Sequence, residues 1–162
     1  MENTRSQHYA GRFRQIYDGS PWYGDNFVSK IADITSENAF VSPVTGLHAV
    51  AQVVAHMTYW RQALISRLRN SGKPFKPSMK SDDNWPSISH LQQTGWEKTR
   101  SAFDESQAEI IKLLSGQTDS FLAVEYDKGY SIDDLVQGII DHDIYHIGQI
   151  GLIKKLVVEA KE

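Results

Sequence analysis

Apolar residues recur every three or four positions along most of the chain, and no segment alternates apolar and polar residues with a period of two. This spacing is typical of amphipathic helices. A first helical stretch covers residues 9–17 and breaks at Asp18–Pro21. Ser20 is then predicted to cap a new helix that has Pro21 at its first position and continues to Ile34. Two interpretations follow, one kinked helix or two helices in sequence.

Two long periodic stretches occupy the middle of the sequence. The first begins just after Thr45–Gly46, runs to about Asn70 and is ended by Ser71–Pro74, while the second spans Ser87 to Ser115. The connection between them, residues 71–86, carries three prolines. It is therefore predicted to be a long loop.

The last periodic stretch follows a turn at Asp127–Gly129. Ser131 and Asp134 have the spacing of a capping box, which predicts the start of the last helix. Four long amphipathic helices in 162 residues predict an all-α four-helix bundle that forms a single domain, residues 1–162. Because the connections at 35–47, 71–86 and 115–130 are all long, they do not determine which helices are neighbours.

The amino-acid composition excludes several classes of protein and of site. Hydrophobic residues make up 40% and charged residues 23%, as in globular proteins rather than disordered chains. The net charge is −3 without a basic block, so DNA and RNA are not expected as partners. The absence of cysteine excludes disulfides and Cys-based metal or redox sites. The polar N-terminal segment and the short apolar runs predict a cytoplasmic protein that does not enter membranes.

Two histidines interrupt the apolar face of the last helix. His142 and His146 are four residues apart, which brings their Cβ atoms to about 5–6 Å on one side of a helix. At this spacing two imidazoles can bind one metal ion. They belong to a stripe, spaced by steps of three and four, that is predicted to face the core: Leu135, Ile139, His142, His146, Gln149, Ile153 and Leu156.

A third ligand is expected from a facing helix, because two histidines alone do not hold a metal tightly. His56 lies near the middle of the second long helix, on an inward stripe between Val53 and Trp60. The alternative is that all three histidines are neutral core residues held by hydrogen bonds. In that case each ring nitrogen left without a partner would cost about 1–3 kcal/mol, a cost that a shared cation removes.

The segments around these histidines resemble a known family. The segment Val54-Ala-His-Met-Thr-Tyr-Trp60 is similar to the second-helix motif of the DinB/YfiT-like metalloenzymes, and His142-Asp-Ile-Tyr-His-Ile-Gly-Gln-Ile150 resembles their last-helix signature. The resemblance extends over residues 13–156. It implies a four-helix bundle that binds one divalent metal ion, usually zinc or nickel, through His56, His142 and His146, often within a homodimer. Members of that family include thiol-dependent transferases and isomerases that use bacillithiol or mycothiol.

A site with three protein ligands leaves at least one coordination position open, as catalytic zinc sites do. Because imidazoles are neutral, the ion keeps its full charge and can activate a bound water or thiol. The expected function is a metal-dependent hydrolase or a thiol-dependent, bacillithiol-type transferase. Its expected partner is a small-molecule substrate, with a low-molecular-weight thiol as one candidate. The alternative is a non-catalytic metal-binding protein of the stress response.

The catalytic candidates beside the ligands are Asp143 and Gln149. Asp143 stands where His-Glu-x-x-His metalloproteases have glutamate, but a protease is not favoured because the usual downstream third ligand is missing. A place on the helix surface or behind a ligand is favoured for Asp141 and Asp143. Gln149 either orients water or packs between helices, with packing or support of a ligand favoured. His48 is rotated off the face of His56 and is not favoured as a fourth ligand.

Overall fold

The computed structural model describes residues 3–69 and 74–158, and within these ranges the chain is mostly helical. Four of the helices are long, which confirms the predicted all-α four-helix architecture. The elements in chain order are α1 (Thr4–Tyr17), α2 (Phe27–Ile31), α3 (Val50–Leu68), α4 (Ile88–Thr94), α5 (Trp96–Ser115), α6 (Asp119–Leu122), β1 (Glu125–Asp127), β2 (Tyr130–Ser131) and α7 (Ile132–Val157).

The region after α1 forms a separate short helix, and the predicted helix start at Ser20 is wrong. The chain turns at residues 21–24, where the Gly24 N–H donates to the Pro21 carbonyl at 3.1 Å and Gly24 has a φ of 117°. Such a positive φ is left-handed and interrupts any helix that began at Pro21. The cap of α2 is Asn26, whose side chain accepts a hydrogen bond from the Ser29 N–H at 2.8 Å.

Gly95 divides the segment predicted as one helix from residue 87 to residue 115. Its φ of 90° is left-handed, so the helix ends as α4 and starts again as α5. The prediction of a continuous helix is therefore wrong, because the spacing of apolar residues carries no information about the backbone angles of a single glycine. For α3, the predicted end near Asn70 and the break at 71–73 lie outside the described residues.

A short antiparallel hairpin precedes α7. Its strands pair Glu125 with Ser131 and Asp127 with Tyr130. The strands are only three and two residues long, so they carry no detectable period of two. The predicted capping box is present, since the Asp134 N–H donates to Ser131 Oγ at 3.2 Å and the Ser131 N–H donates to Asp134 Oδ2 at 2.8 Å.

The four long helices form a bundle in which each packs against two others. Helix α3 packs against α5 and α7, and α1 packs against the same two helices. The order around the bundle is therefore α1, α5, α3, α7, which the long connections could not determine. Fully buried side chains from each helix fill the centre, among them Phe13, Leu64, Phe103 and Ile150. None of the helices described is both long and apolar enough to cross a membrane.

The buried face of α7 differs from the predicted stripe at its C-terminal end. Ile139 and Ile153 of the stripe are buried as predicted, but Leu156 is 50% exposed, and Val157 takes the core position beside the buried Ile150. Because a helix has 3.6 residues per turn, Val157 lies in line with Ile150 and Ile153, whereas Leu156 is displaced toward the edge of the face. This exposed leucine lines a cavity together with Val53 and Gln149.

Candidate metal centre

Helices α3 and α7 bring three imidazoles together. The Nε2 atom of His142 lies 3.1 Å from Nε2 of His56 and 3.1 Å from Nε2 of His146. One ligand atom from each ring lies within 4.8 Å of the other two. His56 and His146 are buried and His142 is half-buried. All three candidates from the sequence therefore share one place in the fold.

Hydrogen bonds to the outer ring nitrogens determine where His56 and His146 carry their protons. His56 Nδ1 lies 2.8 Å from the backbone carbonyl oxygen of Asn84, and His146 Nδ1 lies 2.6 Å from Oε1 of Gln149. Both oxygens can only accept, so each Nδ1 carries the hydrogen of its neutral ring. The Nε2 atom of each ring is then an acceptor with a free lone pair. Gln149 thus orients the ring of His146.

The three nitrogens fit a shared cation. A proton on His142 Nε2 can bind only one of its two neighbouring acceptors, while a proton on His142 Nδ1 is buried and has no hydrogen-bond partner among the described residues. Either way, one ring nitrogen lacks a partner. Two nitrogens at about 2.0–2.1 Å from one tetrahedral ion lie about 3.3 Å apart, close to the separations of 3.1 Å found here. A divalent metal therefore suits this donor set.

Burial favours the neutral form of all three rings. It lowers the pKa of His142 to about 3, with further lowering from the neighbouring His146 and His56. Burial also lowers the pKa of His56 to about 4, although the hydrogen bond to Asn84 opposes this. The pKa of His146 is lowered by burial as well. Because neutral imidazole is the form that binds metals, protons do not compete with a cation at neutral pH.

Asn84, which the sequence analysis did not identify, holds His56 in position. It is 1% exposed, and besides binding His56 through its carbonyl it accepts a hydrogen bond from Trp60 Nε1 at its Oδ1, 2.9 Å away. Its Nδ2 donates to the Met79 carbonyl at 3.3 Å. Contacts of this kind orient metal-binding imidazoles. A single asparagine in a long connection carries no sequence signal for such a role.

The indole of Trp85 lies between two imidazoles. It stacks on His56 with ring centroids 3.8 Å apart and an interplanar angle of 8°, and on His48 at 3.8 Å and 7°. Trp85 therefore covers one face of His56 and separates it from His48. His48 lies outside the three-histidine group, as does every other histidine in the described part of the chain.

Asp143 lies in the core and not on the helix surface. It is fully buried, and its Oδ2 accepts hydrogen bonds from Arg61 Nε at 2.9 Å and contacts Arg61 Nη2 at 2.8 Å. Arg61 also donates to Ser106 Oγ at 3.2 Å, and its guanidinium lies 3.8 Å from the ring centroid of Phe103. Burial raises the pKa of the Asp143 carboxyl, and the Arg61 guanidinium lowers it. An arginine on the inward face of α3 was the sequence signal for this pair, and it was missed.

Asp141, the other acidic residue beside His142 in the sequence, lies on the helix surface. Asp141 is exposed, and its Oδ1 accepts a hydrogen bond from Gln137 Nε2 at 2.9 Å. Neither acidic residue that flanks His142 in the sequence joins the three-histidine group. The cluster, as far as the described residues show, consists of imidazoles alone.

Comparison with known proteins identifies the fold and the family. The sequence matches a model of the DinB superfamily over residues 24–150. No curated protein matches the chain. The crystal structure of a conserved protein from Enterococcus faecalis has the same fold, with a TM-score of 0.68 and 18% sequence identity over 98% of this chain and 99% of that one. At this identity, the likeness shows the fold alone.

Proposed function

The chain belongs to the DinB superfamily, and from this membership and its histidine cluster we propose that it is a metalloenzyme that transfers a thiol to a small electrophilic molecule. Membership and the buried three-histidine group are compatible with the binding of a metal ion. The observation that carries the proposal is the convergence of three neutral Nε2 atoms without a carboxylate. Zinc or nickel is proposed as the ion, because both suit imidazole ligands.

The surroundings of the cluster favour a thiol over water as the nucleophile. A bound ion with neutral ligands lowers the pKa of bound water toward about 7 and deprotonates a bound thiol outright. Hydrolysis usually also needs a general base held by the protein. Asp143 is fully buried and bound to Arg61, so it is not free to accept that proton. A thiolate needs no further activation, because it is itself the reactive form.

The residues around the cluster have distinct roles in this proposal. His56, His142 and His146 supply three donors and leave at least one coordination position for the thiol. Asn84 and Gln149 hold the Nδ1 protons of two ligands and so keep their Nε2 atoms free. In the reaction the thiol loses its proton to solvent and its sulfur forms a bond to an electrophilic carbon. The leaving group departs with the electron pair.

Metal content and activity of the full chain test the proposal. Elemental analysis is expected to find one zinc or nickel ion per chain in the wild type and none in His142→Ala. The metal-loaded protein is expected to transfer bacillithiol or a simpler thiol to an aryl halide, and to lose this activity after chelation. His90→Ala, which changes an exposed histidine, is the matched control and should keep both the metal and the activity.

The other outcomes assign other functions. Hydrolysis of esters or amides without a thiol, lost on chelation, would replace thiol transfer by metal-dependent hydrolysis. Stoichiometric metal without any turnover would favour a non-catalytic metal-binding protein of the stress response. Wild-type protein that takes up no metal would remove the proposal altogether.

A further inference from the structure

A cavity of about 190 Å³ lies between α3 and α7, next to the histidine cluster. Its wall is mainly apolar. Val53 and Ile153 are buried at its base, while Leu152 and Leu156 line it with 66% and 50% of their surfaces exposed. The cavity is therefore apolar inside and open to solvent beside the two leucines.

The cavity begins one helical turn from the cluster on both helices. Val53 precedes His56 by three residues on α3, and Gln149 follows His146 by three residues on α7, so each step is about one turn of 5.4 Å. His142, Gln149 and Leu156 are spaced by seven residues, which places them along nearly the same side of α7. None of the three histidines lines the cavity, but its nearest lining residues on α3 and α7 lie about one helical turn from them.

Two polar side chains connect the cavity wall to the ligands. Gln149 lines the cavity and binds His146 through Oε1, and its amide N–H groups have no hydrogen-bond partner within residues 3–69 and 74–158. His48 lines the cavity and stacks on Trp85, which in turn stacks on His56. The ring nitrogens of His48 also lack a partner in those ranges. Both groups are available to a polar atom of a molecule in the cavity.

We propose that this cavity binds the apolar group of the substrate that reacts at the cluster, an inference that rests on the proposed metal function. The substrate class is a small molecule with a metal-binding or electrophilic polar end and an aromatic or branched aliphatic group. A dry apolar cavity of about 150 Å³ binds benzene, so this cavity has room for a six-carbon ring with a short substituent. Burial of that ring against Val53 and Ile153 removes apolar surface from water and favours binding.

Two probes with the same metal-binding end test the inference. Acetohydroxamate and phenylacetohydroxamate are titrated into the zinc-loaded full chain by calorimetry. The phenyl probe is expected to bind at least tenfold more tightly. Leu156→Glu and, independently, Leu152→Glu are expected to remove that preference, since each places a charge on the cavity wall at an exposed position. Val124→Glu is the matched control, because Val124 is 50% exposed and outside the cavity, and it should keep the preference.

Zinc analysis of the same samples separates the possible failures. One zinc ion per chain with equal dissociation constants for the two probes overturns the cavity inference and leaves the proposed metal site intact. No zinc in the wild type overturns the proposed function and this inference with it. If Leu156→Glu changes the oligomeric state and leaves the tenfold preference intact, these leucines belong to an interface between copies, and the inference is overturned.

Discussion

Helices α3 and α7 bury two sets of polar side chains, the Arg61–Asp143 pair and the three histidines. Only the first set contains side chains of opposite charge. Arg61 and Asp143 carry opposite charges, with Nη2 and Oδ2 2.8 Å apart, so the chain itself supplies both partners. His56, His142 and His146 instead place nitrogen acceptors 3.1 Å apart. No acidic side chain in the described residues joins them.

The difference separates a structural polar group from a binding site. The Arg61–Asp143 pair also contacts Ser106 and Phe103 of α5, so it joins three helices and contains both a positive and a negative charge, while Asp143 Oδ1 has no hydrogen-bond partner among the described residues. The outer contacts of the histidine cluster orient the rings and leave the inner nitrogens free. Buried polar atoms that remain without partners call for a ligand or ion. Because the cluster brings three ring nitrogens together without a carboxylate, we propose it as the functional site and the ion pair as a structural contact between helices.

The largest effect is expected from breaking the ion pair. Asp143→Ala leaves the Arg61 charge buried without its partner, and should lower the free energy of unfolding by about 3–5 kcal/mol. The double variant Arg61→Met/Asp143→Leu removes both charges, and its stability should equal or exceed that of the wild type by up to about 4 kcal/mol. Urea denaturation of metal-free protein measures both. If the single variant is as stable as the wild type, the pair is not structural.

Removing a ligand is expected to affect metal binding and not folding. His142→Ala should weaken zinc binding by more than about 100-fold, or about 2.7 kcal/mol. Its metal-free form should lose less than about 1 kcal/mol of stability, because no buried charge is left unpaired. Calorimetric zinc titration and denaturation of the same protein give the two values. Unchanged zinc affinity would mean that the histidines are core residues only.

Zinc binding is expected to raise the free energy of unfolding by the same amount whether or not the Arg61–Asp143 pair is present. At a free zinc concentration of 100 times Kd, the wild type should gain about 2.7 kcal/mol in its free energy of unfolding. The Arg61→Met/Asp143→Leu variant should gain the same amount, and His142→Ala should gain little. Denaturation with and without zinc measures the gain. A double variant that no longer responds to zinc would show that the pair belongs to the site.

A smaller effect is expected from the hydrogen bond that supports His146. Gln149→Ala removes the acceptor of the Nδ1 proton and should weaken zinc binding by about 10–100-fold. Gln137→Ala is the matched control, because this glutamine is exposed on the same helix and contacts only Asp141. Zinc titrations of the two variants measure the loss of affinity in each. Equal losses in both would argue against a specific role for Gln149.

The smallest effect concerns acid stability of the metal-free protein. In the folded chain the pKa of His56 is about 4 and that of His142 about 3, against 6.5 for the unperturbed side chain. Unfolding therefore takes up protons, and stability present above about pH 6.5 is lost as the pH falls toward these folded pKa values. Denaturation at about pH 7.5 and about pH 5 should show a smaller loss in His142→Ala than in the wild type. An equal loss would assign the acid sensitivity to other groups.

The sequence predicted the long helices well and the breaks between them poorly. Apolar spacing is repeated many times within a long helix, so α1, α3, α5 and α7 were recognised despite local irregularities. The start or end of a helix depends on one or two residues, such as Asn26 or Gly95. The spacing of apolar residues carries no information about their backbone angles. The two-stranded hairpin is too short to show any period.

The candidate ligands could be named from the sequence because spacing and motif both single them out. His142 and His146 are one turn apart on an apolar face, and His56 belongs to a recognisable segment of α3. Their partners could not be named, because 82 residues separate Arg61 from Asp143 and 28 separate His56 from Asn84. Nothing in the local pattern relates such distant positions.

By itself the sequence determined where the long helices run and which histidines interrupt their apolar faces, because both depend on local periodicity. The tertiary structure decided which polar residues meet. It paired Arg61 with Asp143, brought His56 to His142 and His146, and opened an apolar cavity beside them. These outcomes depend on how α3 and α7 pack, and packing is a property of the whole bundle.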